Sequence, residues 1–117
     1  MPKFLLLGAL AMAISALASL TRAADTTATG HLRDSFCFLT MGAHCSSHHD
    51  CAVASAKAEI PVLLEEGKTG KYYVLMPPKD KQSLPENLIS KMEDRVTISG
   101  HEYTKGGMAF LRVESVK

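Results

Sequence analysis

The run from Phe4 to Leu17 is apolar except for Gly8 and Ser15, and it decides which part of this chain is free to fold as a domain. Lys3 gives the run a positive start, and small residues follow it. This is the make-up of a secretory signal peptide, too short for a stable membrane anchor. Thr21-Arg22-Ala23 offers the small side chains a signal peptidase needs, so cleavage is expected before Ala24. Ala16-Leu17-Ala18 offers an earlier alternative, and retention as an uncleaved anchor is the competing reading. Residues 1–23 are therefore read as a signal peptide, 24–30 as a flexible, Thr-rich leader, and 31–117 as one small β-rich domain.

Export has consequences for charge, size and sulfur chemistry. The whole chain carries 13 Lys and Arg against 12 Asp and Glu. Losing Lys3 and Arg22 with the signal peptide leaves a mature chain one negative charge from neutral. Such a balance lacks the basic footprint that nucleic acid or an anionic membrane surface requires. After cleavage no second apolar run is long enough to form a stable membrane span. About 94 residues bury only a modest core, and domains of that size are often stapled by a disulfide or a metal.

The strongest local fold signal is a hairpin. Pro61–Glu65 and Lys71–Met76 are β-rich runs, and Glu66–Gly70 between them holds two glycines suited to a turn. Alternation around Leu32 and Phe36 predicts a first strand over His31–Phe38. Met41–Asp50 reads as a loop. Ser47, followed three residues on by Asp50, has the capping-box pattern and predicts a helix over His48–Ala58, ended by Pro61. Leu84, Leu88, Ile89 and Met92 lie at helical spacing. Asp94–Ser99 reads as a strand, Gly100 as a turn into His101–Lys105, Gly106-Gly107 as a second turn, and Met108–Val116 as a last strand. Five short strands and one or two short helices make the fold class mainly β (α+β). The expected architecture is a small, partly closed barrel of the oligonucleotide/oligosaccharide-binding (OB) type, with an antiparallel sheet carrying a helix on one face as the alternative.

One segment is chemically distinctive. Cys37, His44, Cys45, His48, His49 and Cys51 fall within fifteen residues, with Met41 among them. Thiolate and imidazole suit zinc or copper, and a thioether adds to the case for Cu(I). His48 and Cys51, three apart at a helix start, can face one point. The competing reading is structural: outside the cytoplasm thiols oxidise, and a Cys37–Cys51 disulfide would close a loop worth on the order of 3 kcal/mol. No zinc-finger spacing, phosphate loop, carboxylate pair or nucleophile constellation points to a reaction, so a non-enzyme is expected. The two functional readings are thus a periplasmic protein binding copper or zinc, and a disulfide-stapled module whose partner is a protein or envelope component.

Asp34, Cys37, Phe38, Gly42, His48, Cys51, Ala52 and Pro61 together form the pattern D-x-x-C-aromatic, a glycine-bearing loop, H-x-x-C-A, then Pro opening a strand. In this the chain resembles a family of small secreted bacterial proteins, mostly uncharacterised. The resemblance extends more weakly to Tyr73–Leu75 and Val96–Gly100, and it implies export and a small β fold. Ser55 stands where that pattern carries a second helix cysteine, so a metal site built on both helix cysteines would be incomplete here.

Overall fold

The computed structural model describes residues 22–44 and 46–117. Of the signal-peptide reading of residues 1–23, residues 1–21 lie outside those described, as does Cys45, while Arg22 and Ala23 open the first strand and pair with Thr104 and Tyr103. Five strands, β1 (Arg22–Asp34), β2 (Val62–Glu66), β3 (Tyr72–Met76), β4 (Arg95–Lys105) and β5 (Met108–Val116), close into a barrel in the order β1-β2-β3-β5-β4. This is the OB-type architecture, and the flat-sheet alternative is set aside. All neighbours are antiparallel except β3 and β5.

Closure depends on β1 serving two partners. Arg22–His31 pairs with β4, and Gly30–Asp34 with β2, so Gly30 and His31 are paired on both sides. The expected leader over 24–30 is therefore strand. Its alternation is real but half hidden. Ala28, Gly30 and Leu32 turn inward, while Thr27 and Thr29 turn outward to bond Ser99 and Thr97 hydroxyl to hydroxyl, at 3.1 and 2.8 Å. Threonine is a good strand former, and here its hydroxyls find cross-strand partners. Gly30 is needed at the crossing, since a Cβ there would lie 2.0 Å from the Glu65 carbonyl oxygen.

The first strand ends at Asp34 rather than Phe38, because Asp34 caps a helix. Its Oδ1 accepts the Phe36 N–H at 3.0 Å, and α1 (Ser35–Met41) follows. Gly42, with φ of 69°, terminates α1 in the left-handed region that glycine adopts cheaply. A single 3₁₀ turn (Ser46–His48) leads into α2 (His49–Lys57), which buries Ala52 and Ala56 one turn apart against the barrel. The N-cap of α2 is His48, with no side-chain capping bond, so the expected capping box does not set its start. Nor does Pro61 stop it. Glu59 takes φ of 66°, and the Glu59 and Ile60 N–H groups bond back to Ala56 and Ser55, both at 3.0 Å. This is a Schellman stop with glutamate in the glycine position.

The hairpin β2–β3 forms as expected, in the register Leu64↔Tyr73, with Tyr73 buried and Tyr72 exposed. Helix α3 (Glu86–Ile89) is shorter than the Leu84–Met92 pattern, but Leu88, Ile89 and Met92 all enter the core with Leu32, Leu64, Ile98 and Leu111. Gly100 is not a turn. β4 runs through it with a register shift at Ser99/Gly100, and a Cβ at Gly100 would meet the Arg112 carbonyl oxygen at 2.0 Å. Such a bulge, with Glu114 of β5 as the unpaired residue, bends a barrel strand and disrupts its ladder only locally.

Candidate metal site

The segment that joins β1 to β2 leaves the barrel as α1, the 3₁₀ turn and α2, and it brings three donors to one point. A carboxylate oxygen of Asp34, Cys37 Sγ and a ring nitrogen of His48 form a group whose atoms all lie within 4.8 Å of one another. Each is placed by local structure. Asp34 must sit at the first position before α1 to cap it, which leaves its second oxygen free. Cys37, three residues on, lies over the cap on the same side of the helix. His48 is the last residue of the 3₁₀ turn, and its ring reaches back toward the carboxylate.

The electrostatics of this group are unusual. Asp34 is 1% exposed. Neither its Oδ2 nor His48 Nε2 has a hydrogen-bond partner, although both atoms are buried. They stand 3.8 Å apart, too far for a hydrogen bond. An unsatisfied buried polar atom costs about 1–3 kcal/mol, a cost that one ion bonded to both would relieve. Donors sharing one tetrahedral zinc ion are separated by about 3.3–3.6 Å, given zinc–ligand bonds of about 2.0–2.3 Å. Cys37 completes the triangle. Interaction with the Asp34 carboxylate, followed by partial burial and the negative field of that group, pushes the thiol above its ordinary value. Cys51 and Glu93 add to the same field. Cys51, one turn beyond His48 in α2, is thus close enough to be felt at Cys37, though its own side chain is exposed.

The other expected ligands are turned elsewhere. The His44 ring is exposed and packs edge-on against Phe38, with centroids 5.9 Å apart. His49 points to α3: its Nε2 lies 3.0 Å from the Ser90 carbonyl and its Nδ1 3.1 Å from Asp50 Oδ1. The Ser90 carbonyl, then Asp50, raises its pKa and favours an imidazolium that donates to both. Met41 is exposed at the end of α1. Cys37 and Cys51 are both free thiols, so the expected bridge is not formed. Asp34 is the candidate donor that the cysteine and histidine count overlooks. Its signal in the sequence is the D-x-x-C spacing, which places a capping carboxylate and a thiol on one side of a helix start.

A polar network braces this corner of the molecule. Arg33, adjacent to Asp34 but on the opposite strand face, bonds Glu93 at 2.9 Å and Glu65 at 3.3 Å. Tyr72 donates to Glu65 at 3.0 Å, and the Arg33 guanidinium sits 5.4 Å from the centre of the Phe38 ring. Phe38 thereby packs between Arg33 and Tyr72. Two cavities lie away from the group: one of about 300 Å³ is lined by Thr27, His31, Lys68 and Arg95, another of about 350 Å³ by Asp25, Ser99, His101 and Glu114.

Among the described residues no helix is long and apolar enough to cross a membrane. Comparisons with protein-family models, curated proteins and solved structures return no match to this chain.

Proposed function

We propose that this chain is an exported single-domain protein that binds one transition-metal ion through Asp34, Cys37 and His48, with Cys51 or water as the fourth ligand. The observation that carries this reading is the pair of buried atoms without hydrogen-bond partners, Asp34 Oδ2 and His48 Nε2, facing each other across 3.8 Å beside a thiol. A set of one carboxylate oxygen, one imidazole nitrogen and one sulfur favours zinc over copper, because Cu(I) prefers softer, all-sulfur or sulfur–imidazole surroundings. Nothing in the group marks a reaction, so the role is binding rather than catalysis. The apolar run Phe4–Leu17 supports export, and the partner outside the cytoplasm is an envelope or secreted component.

The test is a titration of metal-stripped protein with zinc in competition with a chromophoric chelator. One zinc per chain is expected, with loss of binding in Asp34→Asn, Cys37→Ser and His48→Gln. Cobalt(II) loading adds a thiolate-to-metal charge-transfer band that Cys37→Ser removes. A second reading, the disulfide staple, draws on the proximity of Cys51 to Cys37. It wins if the exported protein retains no metal and these two thiols become alkylatable only after reduction.

A further inference from the structure

We infer that metal binding at this site governs the ordering of α1, so that the ion acts as a switch on one helix while the barrel stays folded. The inference rests on the metal reading above. Helix α1 has seven residues and none of them is buried. Isolated helices shorter than about 12 residues are marginal in water, so α1 depends on its attachments. Those attachments are few. Asp34 Oδ1 holds the Phe36 N–H, the Ser35 N–H reaches the Pro61 carbonyl at 3.2 Å, and the Phe38 ring packs against Arg33 and Tyr72. Phe36, Leu39 and Met41 project into solvent at 61, 68 and 68% exposure. No residue of α1 belongs to the hydrophobic core.

The metal group joins the weak helix to firmer ground. Asp34 divides its two oxygens between the helix and the ligand set, Oδ1 capping α1 and Oδ2 facing His48. Cys37 lies in the first turn of α1, and His48 heads α2, which buries Ala52 and Ala56. An ion bonded to all three clamps the cap, the first turn and the following helix together. Opening α1 carries Cys37 away and breaks the set, so whatever binds the closed form holds α1 closed. The apolar side chains Phe36, Leu39 and Met41 then take a defined arrangement only in the loaded protein.

Amide hydrogen exchange of the purified full protein, stripped of metal and then loaded with zinc, tests this. With free zinc about 100 times above the measured Kd, exchange through opening of α1 slows about 100-fold. The expected carriers are the amides of Phe36, Gly42 and Ala43, which bond to Asp34, Phe38 and Cys37 respectively. Asp34→Asn keeps an oxygen for the cap but loses the anionic ligand, and zinc should leave its exchange unchanged. The switch is overturned if zinc binds one per chain and residues 35–44 exchange at the same rate with and without it, or if slowing is uniform along the chain. Failure of zinc to bind at all removes the metal reading and the switch with it.

Discussion

Replacing Gly30 with alanine is the sharpest test of how this barrel closes. At Gly30 one strand is paired to two others, and the new Cβ would lie 2.0 Å from the Glu65 carbonyl oxygen, 2.6 Å from its carbon and 2.8 Å from Glu66 Cα. A comfortable C···O contact is about 3.3 Å, so β1 and β2 must part by about 1.3 Å at this point. Every obstructing atom is backbone, so no rotamer relieves the clash. A shift of that size breaks the ladder bonds nearest Gly30↔Glu66 and His31↔Glu65, each worth about 1 kcal/mol, and loosens Leu32 against Leu64. The expected loss is about 3–4 kcal/mol, a large part of the total for a domain of this size. In a thermal melt followed by circular dichroism this corresponds to a fall in Tm of about 15 °C or more. Gly67→Ala is the matched control: nothing lies within 4 Å of its added Cβ. It should be neutral or stabilise by up to about 1 kcal/mol through the unfolded chain. A Gly30→Ala protein within about 1 kcal/mol of the parent would refute the close-approach account of closure.

Other outcomes follow from the same structure. Arg33→Met leaves Glu93, whose side chain is fully buried, without its cation; a loss of about 3–5 kcal/mol is expected, and adding Glu93→Gln should restore most of it in urea titrations. Leu64→Ala, at a fully buried position, should cost about 2–5 kcal/mol with an unchanged denaturant slope. Glu102 is held below the usual carboxylate range chiefly by its bond to Lys71, at 2.8 Å. That contribution is present above the ordinary carboxylate pKa of 4.5 and is lost as pH falls through the lowered folded value. Lys71→Met should therefore cost less than about 1 kcal/mol at neutral pH, the pair being partly exposed, and nothing in strong acid. Adding zinc at about 100 times its Kd should stabilise the parent by about 2.7 kcal/mol and Asp34→Asn by none, read as a shift in Tm.

Local chemistry made several elements legible in the sequence. The β2–β3 hairpin is written in two β-rich runs with glycines between them. The opposite fates of Tyr72 and Tyr73 follow from strand alternation, and the paired glycines 106 and 107, both at positive φ, from turn geometry. The mainly β class and the convergence of Cys37 and His48 follow from composition and spacing close along the chain. These are properties that neighbouring residues settle among themselves.

The rest required the closed barrel. Residues 24–30 look like a polar leader until β4 supplies hydroxyl partners for Thr27 and Thr29. Gly100 looks like a turn until the Arg112 backbone crosses it. Asp34 looks like the middle of a strand until a free helix end needs its carboxylate, and only that capping role turns its other oxygen toward His48. His44 and His49 share the composition of the cluster but not its location, because Phe38 and the Ser90 carbonyl hold their rings elsewhere. A side chain's type states what it can bond, whereas which partner it meets depends on chain segments far away in sequence.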